Sequence, residues 1–212
     1  MSRQRPQVTL SAALFAALGA PDADGDELTT RLLDAAEGLL RSWGLRRWSI
    51  DDVVDRAGVG RTSVYRRFRN RDDLVHAVLA RELRSTFAAI AAAAVRQTGL
   101  EDKAVAAVRA ALHALDASVV DSLLRSDAAT FLPFLTTDAG PLLAIARDTI
   151  VAHVSAVAAP PPVELAEAAA RLGLSLILTR ETVLPLDDPD ALDAALRRMV
   201  GPLLAALAVT QP

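Results

Sequence analysis

The chain of 212 residues contains no cysteine, which excludes disulfides and thiolate metal sites and fits a reducing, cytoplasmic setting. Lysine is almost missing: Lys103 is the one example, so cationic chemistry falls to arginine. Aromatics make up only 4% of residues, so a core drawn from the 52% apolar fraction is mostly Ala, Leu and Val. Ala and Leu favour helices, and β-branched runs bounded by turns are scarce, so the expected fold class is all-α. No segment reaches 18 uninterrupted apolar residues, so neither a transmembrane helix nor a membrane partner is expected. Nucleophile motifs, phosphate loops and Glu-x-x-His pairs are also missing. His76, His113 and His153 lie 37 and 40 residues apart, without metal-ligand spacing. No catalytic residue, metal or cofactor is therefore expected.

Net charge is −3, but it is unevenly distributed. Residues 41–84 hold 11 arginines against 6 acids, a local net of +5, and the remainder carries −8. A short cationic stretch in an acidic body has two readings: a nucleic-acid contact, or a solvated arginine-rich helix face. At the N-terminus, Arg3 and Arg5 precede the apolar run Val8–Leu18, the outline of a secretory signal. Leu10, Leu14, Phe15 and Leu18 fall at helical spacing, so the expectation for 1–25 is instead an extension, flexible or a short helical arm.

Helical periodicity organises the rest. Asp24 is a candidate N-cap, followed by a helix that ends at Gly44. Ser49, with Asp52 three residues on, opens a short helix that Gly58-Val59-Gly60 breaks. A second short helix covers Arg61–Phe68, with Val64 and Phe68 inward and the Tyr65 ring either inward or outward. Asn70 caps a long helix to about Arg96. Further helices are expected at about 101–117, 119–126, 128–135, 139–158, 163–182 and 189–208, with a kink at Gly201-Pro202.

Two short helices joined by three residues must cross steeply, and the turn needs a residue free to adopt positive φ, which Gly58 supplies. The second helix is too short to stand alone, so the long helices either side must hold it. Its other face, bearing Arg61, Thr62, Ser63, Arg66 and Arg67, then points outward, as a helix entering a major groove requires.

The run from Ser49 to Leu74 resembles the DNA-binding domain of the TetR family of regulators. The matching features are the Ser49 cap, Ala57-Gly58-Val59, Ser63-Val64-Tyr65, Phe68, and Asn70-Arg71-Asp72 before Leu74. Phe131–Pro141 also resembles the effector domain of part of that family. Two positions depart from it: Val54 stands where a small residue is usual, and Arg67 where histidine is frequent.

The resemblance implies an N-terminal three-helix DNA-binding domain with a helix-turn-helix at 26–79, and a C-terminal helical effector-binding and dimerisation domain at 80–212. It implies base contacts from Arg61, Thr62 and Ser63. Ser49 caps the first helix, whose amides face a phosphate, and Tyr65, Arg66, Arg67 and Arg71 grip the backbone. The implied partners are double-stranded DNA with a palindromic operator, a second copy of the chain in a homodimer, and a small hydrophobic effector. Helices 163–182 and 189–208 are the expected dimer face. Phe131, Phe134 and His113 are candidate effector contacts, with ordinary core packing as the competing reading of each. The implied function is a sequence-specific regulator, a repressor released by its effector. The alternatives are a helical interaction protein of the same fold and, least favoured, a helical-bundle enzyme.

Overall fold

A computed structural model describes residues 26–114, 118–155, 160–179 and 181–209. The described residues form ten α-helices and no strand, so the fold is all-α. In chain order these are α1 (Glu27–Trp43), α2 (Ile50–Ala57), α3 (Arg61–Tyr65), α4 (Arg71–Val95), α5 (Leu100–Ala114), α6 (Val119–Ser126), α7 (Ala128–Leu135), α8 (Gly140–Ser155), α9 (Val163–Leu178) and α10 (Pro189–Val209). The expected N-terminal arm and Asp24 lie outside the described residues. Two compact units are present. One comprises the residues up to Ser85 together with 118–141, and the other comprises 86–114 and the residues from Leu142 onward.

In the first unit, α1 buries Leu32, Leu33, Ala35, Ala36, Leu39 and Leu40, positions three or four apart that share one stripe. Each fully buried leucine contributes roughly 1.5–3 kcal/mol over an exposed one. This stripe packs on α2 and α6. The N-cap of α1 is Asp26 rather than Asp24, because its Oδ1 stands where the Thr29 N–H can donate (2.6 Å). At the other end, the Gly44 N–H donates to the Leu40 carbonyl (3.0 Å).

Gly44 has φ +72°, and a Cβ there would stand 2.4 Å from Asp127 Oδ2. The closeness has a purpose. Asp127 Oδ2 accepts the Leu45 N–H (2.7 Å), and the Ser122 hydroxyl donates to the Arg41 carbonyl (2.8 Å). The junction of α6 and α7 thus clasps the end of α1 and satisfies groups its last turn leaves open. Trp48 is buried beside it, and its indole N–H donates to the Gly44 carbonyl (2.9 Å). Trp43 instead is exposed.

The long helix α4 is capped by Asn70, whose Oδ1 accepts the Asp73 N–H (2.8 Å). It buries Leu74, Val75, Val78, Leu79 and Ala80 in the first unit, and its residues after Ser85 belong to the second. In the second unit, α5 packs on α9 and α10. Val105 and Leu112 meet Leu192 and Leu196, with Val108, Leu176, Leu184 and Leu186 around them. Ion pairs Arg109–Asp193 (2.6 Å) and Arg197–Asp102 (2.6 Å) flank that core. Helix α10 is unbroken through Gly201 and Pro202. No single helix among the described residues is long and apolar enough to cross a membrane.

One buried group on α4 makes the fold sensitive to pH. His76 is 8% exposed, and its Nε2 has no hydrogen-bond partner among the described residues. Burial lowers its pKa below the ordinary histidine value, and Asp72 and Asp73 only partly oppose this. The folded chain therefore holds fewer protons than the unfolded chain just below the ordinary value of about 6.5. Stability contributed by neutral His76 is complete above that pH and falls as pH drops through it. We expect the melting temperature to fall between pH 7.5 and 5.5 in thermal denaturation, and His76→Gln to flatten that dependence. An equal slope in both proteins would remove His76 as the cause.

Candidate nucleic-acid interface

Ser49 starts the unit with a reciprocal capping box. Its hydroxyl accepts the Asp52 N–H (3.4 Å), and its own N–H and O–H both donate to Asp52 Oδ2 (2.7 and 2.8 Å). These bonds hold the Asp52 carboxyl below the usual carboxylate range. Helix α2 turns Ile50, Val53 and Ala57 inward. It ends at Gly58, whose φ of +62° and ψ of +43° place it in the left-handed region.

A residue that the sequence did not single out locks this turn. Arg31, on α1, donates through Nη2 to the carbonyls of Ala57 (2.5 Å) and Gly58 (3.4 Å). These carbonyls lie at the end of α2, where a cation also suits the helix dipole.

Helix α3 is shorter than the 61–68 expected. Regular helix stops at Tyr65 and the chain continues as a turn, with the Arg67 and Phe68 N–H groups both donating to the Val64 carbonyl (3.0 and 2.9 Å). Val64 is fully buried and Phe68 is 7% exposed. Arg61, Thr62, Tyr65 and Arg66 are exposed and Ser63 is half-buried. The Tyr65 ring is therefore outward, at 46% exposure, which decides between its two readings. The Arg61 guanidinium sits 5.7 Å from the Tyr65 ring centroid and pairs with Asp51 on α2 (3.0 Å). Tyr65 and, second, Asp51 raise the Arg61 pKa.

Two of the arginines are not free in the same way. Arg67 turns back to α1, pairing with the Asp26 carboxylate and donating through Nε to the Thr29 hydroxyl (2.8 Å). Arg67 first, and the Thr29 N–H second, hold Asp26 down at about 2. Arg71 lies across the Trp48 ring at 4.2 Å and donates through Nε to the Trp48 carbonyl (3.0 Å). Burial lowers its pKa, and its Nη2 is enclosed without a hydrogen-bond partner among the described residues. By contrast, the exposed Arg47, Arg66 and Arg69 make no ion pair among the described residues.

The result is one short, outward helix with Arg61, Thr62 and Tyr65 exposed and Arg66 just beyond its end, seated on an apolar anchor. Residues 32–78, which contain this unit, match the family model for bacterial regulatory proteins of the tetR family. Residues 32–78 thus carry a DNA-binding domain of the tetR kind. That domain, in an all-α fold, supports a DNA-binding transcriptional regulator. Among solved structures it is similar to the TetR family repressor AlkX from Dietzia sp., implicated in biodegradation of n-alkanes. That match has 25% identity and a TM-score of 0.60, and covers 84% of this chain and 97% of that one. It also shares its fold with the fatty acid degradation regulator FadR from Bacillus halodurans, at 15% identity and TM-score 0.50, covering 82% and 94%. No curated protein sequence matches the chain.

The effector residues suggested by the resemblance are separated by unit. Phe131 and Phe134 are buried in the first, with ring centroids 5.6 Å apart, where they pack as core. His113 is an exposed residue of the second.

The Arg71 stack has a measurable consequence. Arg71→Ala removes a cation–π contact, a hydrogen bond and the cover over Trp48, so it lowers stability by about 1–2 kcal/mol in chemical denaturation. Unchanged stability would show that the stack contributes nothing to the fold.

Proposed function

We propose that the chain is a repressor that binds a palindromic operator as a homodimer and is released by a small hydrophobic effector. The observation that carries the reading is the two-sidedness of α3 and its C-cap: Val64 has no exposure, and Arg61, Thr62 and the cap residue Arg66 are exposed. Arg61, Thr62 and Ser63 read base edges, with Arg61 suited to guanine O6 and N7. Tyr65, Arg66 and the α2 end capped by Ser49 face the phosphates. Gly58 sets the angle between the helices. Arg67 and Arg71 reach phosphates only by leaving their partners on α1 and at Trp48, so their main work is to hold the head together.

The remaining assignments rest on the second unit and on the relatives. Leu172 on α9 and Met199 on α10 are large apolar residues left exposed in the single chain, and they offer apolar contacts to a second copy. Helix α8 is rich in apolar residues but buries only Leu143 fully, leaving Ile145, Ile150 and Val151 half-buried, as contacts to an apolar ligand would be. Similarity to a repressor implicated in n-alkane biodegradation supports both repression and an apolar effector. Such an effector favours a dimer whose heads no longer match successive major grooves. The protein works in the cytoplasm.

Selection of bound fragments from random duplex DNA tests this reading. The expected result is a two-fold symmetric motif whose recovery falls when an apolar metabolite extract is added. Arg61→Ala weakens the selected site by about 1–3 kcal/mol and relaxes one position per half-site. Arg66→Ala weakens all sequences alike and lowers the salt slope by about one. Recovery of no motif would reject sequence-specific binding.

A further inference from the structure

Arg61 is held from two sides, and its ion-pair partner is a carboxylate on the neighbouring helix. Asp51 is the second residue of α2, and its carboxylate meets Arg61 Nη1 at 3.0 Å through Oδ1 and 3.3 Å through Oδ2. Both side chains are more than half exposed, so the pair stands on the outer surface. The Tyr65 ring closes the other side of the guanidinium at 5.7 Å. Arg61 is thus bracketed between an acid on α2 and a ring on its own helix, with Nε and Nη2 left without an ion-pair partner among the described residues.

A carboxylate on a DNA-facing surface carries an electrostatic cost, because it repels the phosphates that supply most non-specific affinity. Its neighbour Asp52 is occupied by the Ser49 cap, so the local structure accounts for it. No cap or backbone bond among the described residues uses the Asp51 carboxylate; its partner is Arg61.

We propose that Asp51 is a specificity-determining residue, which positions the Arg61 fork for a base edge and withholds it from phosphates. The inference rests on Arg61 reading bases. An unrestrained arginine has several rotatable bonds and is drawn to the nearest phosphate, which is present at every site and carries no sequence information. Engaging Nη1 sideways partly neutralises that pull and fixes the plane of the group. Nε and Nη2 remain as a two-donor edge for guanine O6 and N7. Asp51 lowers affinity for all DNA and increases the contrast between cognate and other sites.

Full-length Asp51→Asn is compared with Asp55→Asn, which removes the same charge from an exposed position on α2 that makes no ion pair with Arg61. Affinity is measured on the selected operator, on versions altered at each base pair, and on unrelated duplex. Asp51→Asn should raise affinity for unrelated duplex several-fold more than Asp55→Asn does. It should also cut the guanine preference at one position per half-site by about 3–10-fold, part of what a bidentate arginine contact supplies. In an Arg61→Ala background, Asp51→Asn should leave base preference unchanged. Equal behaviour of the two asparagine variants, or an Asp51→Asn effect on base preference that persists without Arg61, overturns the proposal. If the unaltered protein selects no motif, the base-reading role of Arg61 fails first and this inference with it. A wild-type motif that survives Asp51→Asn intact sinks this inference alone.

Discussion

A helix of five residues makes little more than one turn and has no stability of its own. The outward side chains of this segment depend on how α3 is held from behind. Val64, with no exposure, and Phe68 seat it in the core of the first unit. Arg67 anchors the turn after it to the start of α1 through Asp26 and Thr29, and Arg31 on α1 closes the turn before it. Both ends of the segment are therefore fixed to the same helix. The angle at which Arg61, Thr62 and Arg66 stand out follows from α1 and Gly58, with little contribution from α3 itself.

This arrangement divides the arginines by task. Arg31, Arg67 and Arg71 use their guanidiniums as multi-donor braces against carbonyls, a hydroxyl, a carboxylate and an aromatic face. Arg47, Arg66 and Arg69 are exposed and make no ion pair among the described residues. Arg61 stands between the two groups, exposed yet paired with Asp51. The excess of positive charge in residues 41–84 is thus only partly available to a polyanion. The clasp of Asp127 on the Leu45 N–H extends the brace further, because it fixes the turn that carries Trp48, and Trp48 in turn supports Arg71.

What could be read from the sequence was whatever depends on neighbours along the chain. The Ser49 cap, the left-handed Gly58, the Gly44 stop, the Asn70 cap and the inward Val64 all follow from spacings of four residues or fewer, and the structure has each of them. The long helices followed from their periodicity. Pairings across the fold left no local signal. Arg67 and Asp26 are 41 residues apart, and Leu45 and Asp127 are 82 apart, so nothing near Arg67 announced that it faces inward. The one hint was that histidine is frequent at its position in the family. The grouping of residues 118–141 with the first helices had the same cause, since it shows in bonds from Ser122 and Asp127 that periodicity does not encode. Asp51 was hidden for another reason: two acids at a helix start look like dipole partners, and only the geometry separates the one that caps from the one that holds Arg61.

The central claim is that α3 reads base edges in the major groove from a surface set by its buried side. Protection of guanine N7 from methylation on the bound operator tests this most directly, because N7 is reached only from that groove. Two protected clusters about one helical turn apart are expected, with one guanine per cluster losing protection in Arg61→Ala. Unprotected N7 positions on a tightly bound operator, or protection that Arg61→Ala leaves untouched, would contradict it.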